Sequence, residues 1–256
     1  MPVALAGVAR NLLGLLWPDT CAACGTNLPA AQGFCADCAA KLLPLVAGGY
    51  CLRCGTSLGP GIAAGQDGCM ACPQPMPRFE RLVRLGPYSG PLRMAVHRLK
   101  YSRRPRAAGY LEQLLAESVA AKFADVRFDL VMPVPMHWLR RLARGWNHSA
   151  TLAMAIAARL NVPMGSELVR VRNTPPQVRL PASRRVENIR GAFAVLRPAA
   201  LEGRTICLVD DVTTTGSTCN EAARTLLSAG VHRVLVAVLA KADPPRAYSH
   251  QLSAAR

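Results

Sequence analysis

Acidic residues and lysine are both scarce in this chain of 256 residues. Asp and Glu total 15 against 31 Lys and Arg, which gives a formal net charge of +16, and only four of the basic residues are lysine. Such an excess of arginine predicts attraction to phosphate groups, whether on a nucleotide or on nucleic acid. The charge alone does not identify a nucleic-acid-binding protein.

Long apolar runs are missing as well. The first 17 residues, MPVALAGVARNLLGLLW, are apolar, but Arg10 and Asn11 interrupt them and no basic segment precedes them. They are too short and too polar to span a bilayer, and a cleaved signal peptide is the alternative that we do not favour. We predict an amphipathic helix over residues 1–18, ended by Pro18, in a cytoplasmic protein without a transmembrane segment.

The chain also lacks a Walker-type phosphate loop, because no segment matches G-x-x-x-x-G-K-[ST]. Its candidate anion site is LVDDVTTTGST at 208–218, where an apolar run ends in Asp210 and Asp211 and small hydroxyl residues follow. The pattern predicts a buried strand over 204–209 and a helix over 217–230. A tight loop therefore joins the acidic pair to a helix N-terminus.

The chemistry of this segment points to a sugar phosphate. A helix N-terminus provides unpaired backbone N–H groups and a positive dipole end, which suit a phosphate. Carboxylates at the end of a strand can accept hydrogen bonds from a ribose diol, and they can hold the waters of a magnesium ion. We predict a site for a ribose 5-phosphate, with its hydroxyls on Asp210 and Asp211. The alternative is an acidic, threonine-rich surface loop.

Eight of the ten cysteines form four C-x-x-C pairs, separated by 10, 12 and 14 residues. The pairs are Cys21/Cys24, Cys35/Cys38, Cys51/Cys54 and Cys69/Cys72. One such turn presents two thiolates to a tetrahedral ion, so four pairs predict two structural Zn²⁺ sites. Sequential pairing, the first pair with the second and the third with the fourth, is the simplest assignment. Interleaved pairing is the alternative.

A disulfide framework is the rival interpretation of these cysteines, but it would require an oxidising compartment and nothing in the sequence directs export. Cys207 and Cys219 are most simply core residues. With zinc bound to eight thiolates, the net charge would fall to about +12 and stay strongly basic. We therefore predict a double zinc ribbon over 19–75 and a separate domain over 76–256.

The second domain alternates between strand and helix patterns. Strands are predicted at 79–88, 128–135, 204–209 and 232–241, and helices at 90–101, 105–123, 148–160 and 217–230. This alternation predicts an α/β domain with a mainly parallel sheet flanked by helices. The segment 172–193 contains prolines and many arginines without a clear period, which is typical of a lid.

The whole pattern resembles the ComF family of competence-associated proteins, a double zinc ribbon joined to a type I phosphoribosyltransferase-like domain. The resemblance covers nearly the whole chain. The motifs that carry it are the cysteine pairs, LKY (99–101), PVP (133–135), RGWN (144–147), NTPPQVRL (173–180) and the segment 208–218. Family members usually read R-G-[FY]-N-Q at the fourth motif, where this chain has Trp146 and His148.

The resemblance implies that phosphoribosyl pyrophosphate binds with Mg²⁺. Its diol would lie on the acidic pair and its 5-phosphate in the loop that follows. The expected contacts are Asp210, Asp211, Thr213, Thr214, Thr215, Gly216, Ser217 and Thr218. Purine-type members carry an acid at the position of Thr214, so a base that acts on a purine is not expected here.

The resemblance also indicates which residues bind the pyrophosphate and which belong to the lid. The expected pyrophosphate-binding residues are Pro133, Val134, Pro135, Arg140, Arg141 and Arg144. Arg184 and Arg185 are the expected catalytic contacts in the lid, with Gln177 and Asn188 as polar anchors. The arginines suit these roles because they donate charge-assisted hydrogen bonds, and solvated basic loops are the alternative.

Two functions stay open at this point. The first is phosphoribosyl transfer to an unidentified acceptor, linked to DNA uptake in natural transformation and driven by charge neutralisation and positioning. No residue stands out as a base for the acceptor. The second is a non-catalytic adaptor of the DNA-uptake machinery. Such an adaptor would bind single-stranded DNA or a helicase-like partner and keep the nucleotide site for regulation.

Overall fold

The computed structural model describes residues 20–29, 32–59, 63–65, 67–101, 106–139, 142, 147–175 and 182–243. Several predictions lie outside these ranges: the helix at 1–18, Arg140, Arg141, Arg144, Trp146 and Gln177. Within the ranges, no helix has the length and apolar character that crossing a bilayer requires.

Among the described residues, six α-helices and six strands have defined bounds, together with a short 3-10 helix at Pro198–Ala200. The helices are α1 (Ala36–Ala47), α2 (Gly90–Tyr101), α3 (Arg106–Lys122), α4 (His148–Leu160), α5 (Ala182–Ile189) and α6 (Ser217–Ser228). The strands are β1 (Leu82–Pro87), β2 (Leu130–Pro133), β3 (Leu168–Arg170), β4 (Phe193–Val195), β5 (Thr205–Thr213) and β6 (Arg233–Lys241).

A parallel sheet of four strands, in the order β1-β6-β5-β2, lies at the centre. The central strand β6 buries eight of its nine residues, because helices cover both faces of such a sheet. All four strands run in one direction, so their C-terminal ends meet at one side of the sheet, which we call the carboxyl edge. The predicted α/β fold with a mainly parallel sheet is confirmed.

Strand β5 is longer than the predicted strand over 204–209. It continues through Asp210 and Asp211 to Thr213, because the neighbouring β6 extends as far and pairs Lys241 with Thr213. On the other side, β2 ends at Pro133 beside Val209. The acidic pair therefore lies in the last part of β5, which extends beyond the end of its neighbour β2.

Four elements were not predicted. Helix α1 lies inside the cysteine-rich region, and β3 and β4 form a short antiparallel pair. Helix α5 lies within the expected lid, where Ile189 is buried while Val186 remains exposed. Ala182, Val186 and Ile189 do recur at helical spacing, but eight residues are too short a window for that period to decide between a helix and a loop.

The first ribbon shares its core with the sheet. One continuous buried cluster includes ribbon residues and residues of the sheet and its helices: Cys21, Ala22, Phe34, Cys38, Leu42, Val83, Leu92, Leu111 and Leu152. A second cluster, on the α6 side, contains Leu82, Met132, Leu208 and Leu226. The ribbon is thus packed as part of the main core and is not a detached module.

Candidate functional site

The eight paired cysteines form two compact clusters. The first contains Cys21, Cys24, Cys35 and Cys38, and the second Cys51, Cys54, Cys69 and Cys72, with the Sγ atoms of each cluster within 4.8 Å of one another. This grouping agrees with the sequential pairing and not with the interleaved one.

The sulfur spacing fits a tetrahedral metal site. Sγ–Sγ distances are 3.7 Å for Cys24 and Cys35, 3.8 Å for Cys51 and Cys72, and 3.7 Å for Cys54 and Cys69. Four ligands at the usual Zn–S bond length stand about 3.8 Å apart at the corners of a tetrahedron. A disulfide would bring two sulfurs to about 2 Å. The donor set and its dimensions suit Zn²⁺.

Each cluster begins with the same knuckle, C-x-x-C-G-T. Gly25 and Gly55 adopt positive φ values of 82° and 77°, which L-residues rarely take. The Sγ atoms of Cys24 and Cys54 lie 3.2 and 3.3 Å from the hydroxyls of the following threonines, Thr26 and Thr56. Hydrogen bonds from Thr26 lower the pKa of Cys24 to about 6, which favours the thiolate that binds metal.

The acidic pair lies at the carboxyl edge with defined partners. Oδ1 of Asp210 accepts a hydrogen bond of 3.0 Å from Oγ of Ser149 and one of 2.9 Å from the backbone N–H of Asp211. Oδ1 of Asp211 accepts one of 2.6 Å from the backbone N–H of Val212. Ser149, in the first turn of α4, therefore binds Asp210 beyond the point where the neighbouring strand β2 ends.

Lys100 is a site residue that the sequence reasoning missed. Its Nζ lies 2.9 Å from Oδ2 of Asp211, at the end of α2. The LKY motif carried the family resemblance, but no role was assigned to its lysine. A signal was present, because Lys100 is one of only four lysines in the chain. Only the packing of α2 against the carboxyl edge places it beside the carboxylate.

Burial and neighbouring charges shift the pKa values of Asp210 and Lys100. Burial and the neighbouring Asp211 raise the pKa of Asp210 to about 7, against hydrogen bonds from Asp211 and Ser149 and the charge of Lys100. Burial lowers the pKa of Lys100, but the attraction of Asp211 and Asp210 outweighs it and the net pKa is raised. Lys100 thus stays charged, and Asp210 titrates near neutral pH.

The expected phosphate loop, residues 213–218, runs directly from β5 into α6, and we call it the TTTGST loop. Gly216 has a φ of 81° at the start of the helix, a conformation that favours glycine. Oγ1 of Thr215 donates a hydrogen bond of 3.1 Å to Oγ of Ser217. The side chains of Thr213 and Ser217 are buried, while Thr214, Thr215 and Thr218 are partly exposed.

Helix α5 brings one of the two expected lid arginines to this loop. Nη1 of Arg185 donates a hydrogen bond of 2.8 Å to Oγ1 of Thr214, whereas Arg184 is exposed. Nδ2 of Asn188 donates to the carbonyl of Pro175 at 3.1 Å and so holds the start of the segment. Sequence alone could not distinguish the two arginines, which are adjacent.

The expected pyrophosphate segment also reaches the carboxyl edge. Pro133 ends β2, and the backbone N–H of Val134 donates to the carbonyl of Val209 at 2.8 Å. Nδ2 of Asn147 donates to the carbonyl of Val134 at 3.2 Å. The structure thus brings residues 133–135 near the start of the acidic pair.

Family comparisons agree with this architecture. Residues 12–74 match the double zinc ribbon domain, and residues 147–253 match the phosphoribosyl transferase domain. The fold and the matches define a type I phosphoribosyltransferase-like protein with an N-terminal double zinc ribbon.

Similar proteins identify the family within this class. DNA utilization protein YhgH of Escherichia coli O157:H7 is 37% identical over 172 residues, which are 66% of this chain and 75% of that protein. Competence protein F of Haemophilus influenzae is 31% identical over 179 residues, 68% of this chain and 78% of that protein. The chain belongs to the ComF family.

Solved structures share the fold more loosely. The allosteric regulatory enzyme of purine biosynthesis aligns at a TM-score of 0.39 with 20% identity, over 56% of this chain and 30% of that chain. Adenine phosphoribosyltransferase from Saccharomyces cerevisiae aligns at 0.38 with 13% identity, over 54% and 72%. These similarities are too low to assign a substrate.

Proposed function

We propose that this chain binds phosphoribosyl pyrophosphate with Mg²⁺ and serves DNA uptake or use. The observation that carries the first part is the position of Asp210 and Asp211 at the carboxyl edge, immediately before a loop that opens a helix. Ligands of open α/β sheets bind at this edge. The names of the relatives, which refer to DNA utilization and competence, support the second part.

The ribose end of the ligand would lie on the acidic pair. Two carboxylates can each accept a hydrogen bond from a hydroxyl, and Asp210 and Asp211 occupy consecutive positions in the last part of β5. The positive charge of Lys100, 2.9 Å from Oδ2 of Asp211, offsets part of the negative charge of the pair, so an anionic ligand can approach. Carboxylate oxygens are also suitable partners for Mg²⁺, which would supply charge neutralisation at the pyrophosphate.

The 5-phosphate and the pyrophosphate of the ligand would lie on either side of the ribose diol. The TTTGST loop offers backbone N–H groups at the N-terminus of α6 and several hydroxyls for the 5-phosphate. The segment Pro133–Pro135, with Arg140, Arg141 and Arg144, would bind the pyrophosphate. Arg184 and Arg185 on α5 would close over it as the lid.

Calorimetry with phosphoribosyl pyrophosphate and Mg²⁺ tests the binding, and ribose 5-phosphate and pyrophosphate alone define the two ends. Saturable binding that needs Mg²⁺ and is lost in the Asp210→Asn/Asp211→Asn variant supports the proposal. Failure of the folded wild-type protein to bind any of the three ligands contradicts it. Turnover with a panel of bases then tests transfer to an acceptor.

The second candidate is a non-catalytic adaptor, and one contact favours it. Thr214 stands where purine-type enzymes carry an acid, and its hydroxyl is engaged by Arg185. This position thus contacts α5 and supplies no carboxylate that could act as a base on an acceptor. An adaptor of this kind would bind single-stranded DNA, or a helicase-like partner, and respond to the nucleotide.

Competition distinguishes the two candidates. If single-stranded DNA binds the arginines that we propose for the pyrophosphate and the lid, its affinity falls steeply with salt, by about 0.7 in the log–log slope for each phosphate contact. Phosphoribosyl pyrophosphate should then displace it. Salt-sensitive DNA binding without turnover of any base supports the adaptor, and turnover supports the transferase. Absence of DNA binding at low salt contradicts the adaptor in its DNA form.

We also propose two structural Zn²⁺ ions, one for each cysteine cluster, and a division into a helix at 1–18, a ribbon at 19–75 and a transferase-like region at 76–256. The shared core of the first ribbon and the sheet predicts that the first ribbon and the transferase-like region unfold together. One cooperative transition in calorimetric melting supports this, and two separate transitions contradict it.

A further inference from the structure

The knuckle of the second cysteine cluster and the TTTGST loop both contact the end of β6 and the residues that follow it. Residues 241–243 run between the knuckle 51–57 and residues 213–214, and they contact both. A cluster that served only to fold a separate ribbon would not require these contacts.

On the loop side, Lys241 and Ala242 hold the backbone. Nζ of the buried Lys241 donates to the carbonyl oxygen of Thr214 and, at 3.1 Å, to that of Ala242. The backbone N–H of Ala242 donates to the carbonyl of Thr213 at 2.8 Å. These bonds hold the carbonyl groups of Thr213 and Thr214 at the start of the loop.

On the ribbon side, Asp243 holds the knuckle. Its Oδ1 accepts a hydrogen bond of 2.9 Å from the backbone N–H of Ser57, and its Oδ2 accepts one of 2.6 Å from Oγ of Ser57. Ser57 lies three residues after Cys54 and directly after Thr56, whose hydroxyl lies 3.3 Å from the Cys54 sulfur.

A buried arginine completes the connection. Arg84 on β1 donates to Oγ of Ser57 at 2.6 Å and lies 3.4 Å from Oδ1 of Asp243, with its side chain 1% exposed. Gly55 packs directly on this part of the sheet, because a Cβ there would lie 2.6 Å from Cδ2 of Leu82 and 3.6 Å from Cγ of Lys241.

We propose that the second cysteine cluster, through Ser57, Asp243 and Lys241, positions the backbone of the TTTGST loop for the 5-phosphate. The inference rests on the proposed binding of phosphoribosyl pyrophosphate at this loop. Ser57, Asp243 and Lys241 are positioning residues, since they act on the loop carbonyls and leave the N–H groups for the anion. Metal in the second cluster and ligand in the loop then favour the same backbone arrangement.

Two variants test the connection while leaving the cysteines and the loop unchanged. Ser57→Ala removes the hydroxyl that joins Arg84 to Asp243, and Asp243→Asn removes the charge but keeps an oxygen for the N–H of Ser57. Asp125→Asn is the matched control, because Asp125 also binds an arginine next to β1, at 3.2 and 2.9 Å from Arg81. All three are first checked for zinc content and melting temperature.

Amide hydrogen exchange of peptides that contain residues 213–218 is the first readout. We expect exchange to be about tenfold faster in Ser57→Ala and Asp243→Asn than in the wild type, within the range of coupling between sites, and unchanged in Asp125→Asn. Unchanged exchange in both test variants overturns the proposal. This readout needs no ligand, so it decides the inference even if the wild type binds no phosphoribosyl pyrophosphate and the proposed function fails.

Zinc release is the second readout. Coupling between binding free energies is reciprocal, so ligand in the loop should stabilise the metal-bound form of the second cluster. We expect this stabilisation to appear as a slower loss of metal from the second cluster to a zinc-selective chelator, by about tenfold, and no slowing at the first. The release curve then separates into two phases, and Ser57→Ala merges them again. Equal slowing at both clusters indicates general stabilisation and overturns the proposal, as does a ligand that binds without slowing either phase.

Discussion

Nζ of Lys100 lies 2.9 Å from Oδ2 of Asp211, although the two residues are more than a hundred positions apart in the chain. The contact joins the last turn of α2 to the acidic pair of β5. It places a positive charge beside the proposed diol site. Because Ser149 binds the neighbouring Asp210, two different helices orient the two carboxylates.

The acidic pair should be essential for ligand binding and dispensable for folding. In the Asp210→Asn/Asp211→Asn variant, we expect affinity for phosphoribosyl pyrophosphate to fall at least about a hundredfold, because hydrogen bonds to charged groups contribute roughly 1.5–3 kcal/mol each. Calorimetric titration measures the loss, and circular dichroism checks the fold. Glu117→Gln, at an exposed ion pair with Arg159, is the control. An unchanged affinity in the double variant would refute the assignment.

Lys100 should contribute to binding through its charge. We expect Lys100→Gln to weaken the binding of phosphoribosyl pyrophosphate about tenfold, since Asp211 then keeps its full negative charge beside an anionic ligand. Lys100→Arg should recover part of the affinity. Lys122→Gln, an exposed lysine in the last turn of α3, controls for the change in net charge. Equal affinities in Lys100→Gln and Lys122→Gln would remove Lys100 from the site.

Asp210 should make the stability of the ligand-free protein depend on pH. Its pKa is raised to about 7, above the value near 3.9 of an unfolded chain. Between these values the folded state binds a proton that the unfolded state has released, so stability falls as pH rises from about 4 to 7.

The Asp210→Asn variant tests this linkage. Relative to the wild type, it should gain stability on going from pH 5 to pH 8, by about 1–3 kcal/mol. Urea unfolding without magnesium at both pH values measures the difference. Asp125→Asn should gain nothing over the same range, because Arg81 lowers the pKa of Asp125 below its usual value. If the free energy of unfolding changes by the same amount between the two pH values in Asp210→Asn and in the wild type, the assigned pKa is wrong.

Metal content should equal two zinc ions per chain. Elemental analysis of the purified protein measures it, and Cys51→Ser should lose about one ion with its ribbon, because folding and metal binding are coupled. Cys38→Ser should lower the melting temperature of the whole chain as well, since Cys38 is part of the core that the first ribbon shares with the sheet. Protein that contains disulfides and no zinc would exclude both sites.

The two lid arginines should differ in their effect. Arg185 binds Thr214 and Arg184 is exposed, so we expect Arg185→Ala to weaken pyrophosphate binding by about tenfold or more and Arg184→Ala by less. Thr214→Val, which removes the acceptor of Arg185, should resemble Arg185→Ala. A larger loss for Arg184→Ala would mean that α5 changes its orientation when the ligand binds.

Much of the chemistry was readable from the sequence. The cysteine spacing predicted two four-cysteine clusters because a C-x-x-C turn constrains two sulfurs locally. The alternating strand and helix patterns predicted the parallel sheet, and LVDDVTTTGST predicted that an acidic pair would be followed by a helix N-terminus. Each of these features depends on residues that are close together in the chain, so local rules were sufficient.

Contacts between distant segments were decided only by the tertiary structure. Lys100 reaches Asp211 because α2 packs beside the end of β5, and Ser149 reaches Asp210 because β2 ends early at Pro133. Residues 241–243 contact both the second ribbon and the TTTGST loop because β1, β6 and β5 are neighbours in the sheet. The order of strands is fixed by packing over the whole domain, and no local pattern of residues encodes it.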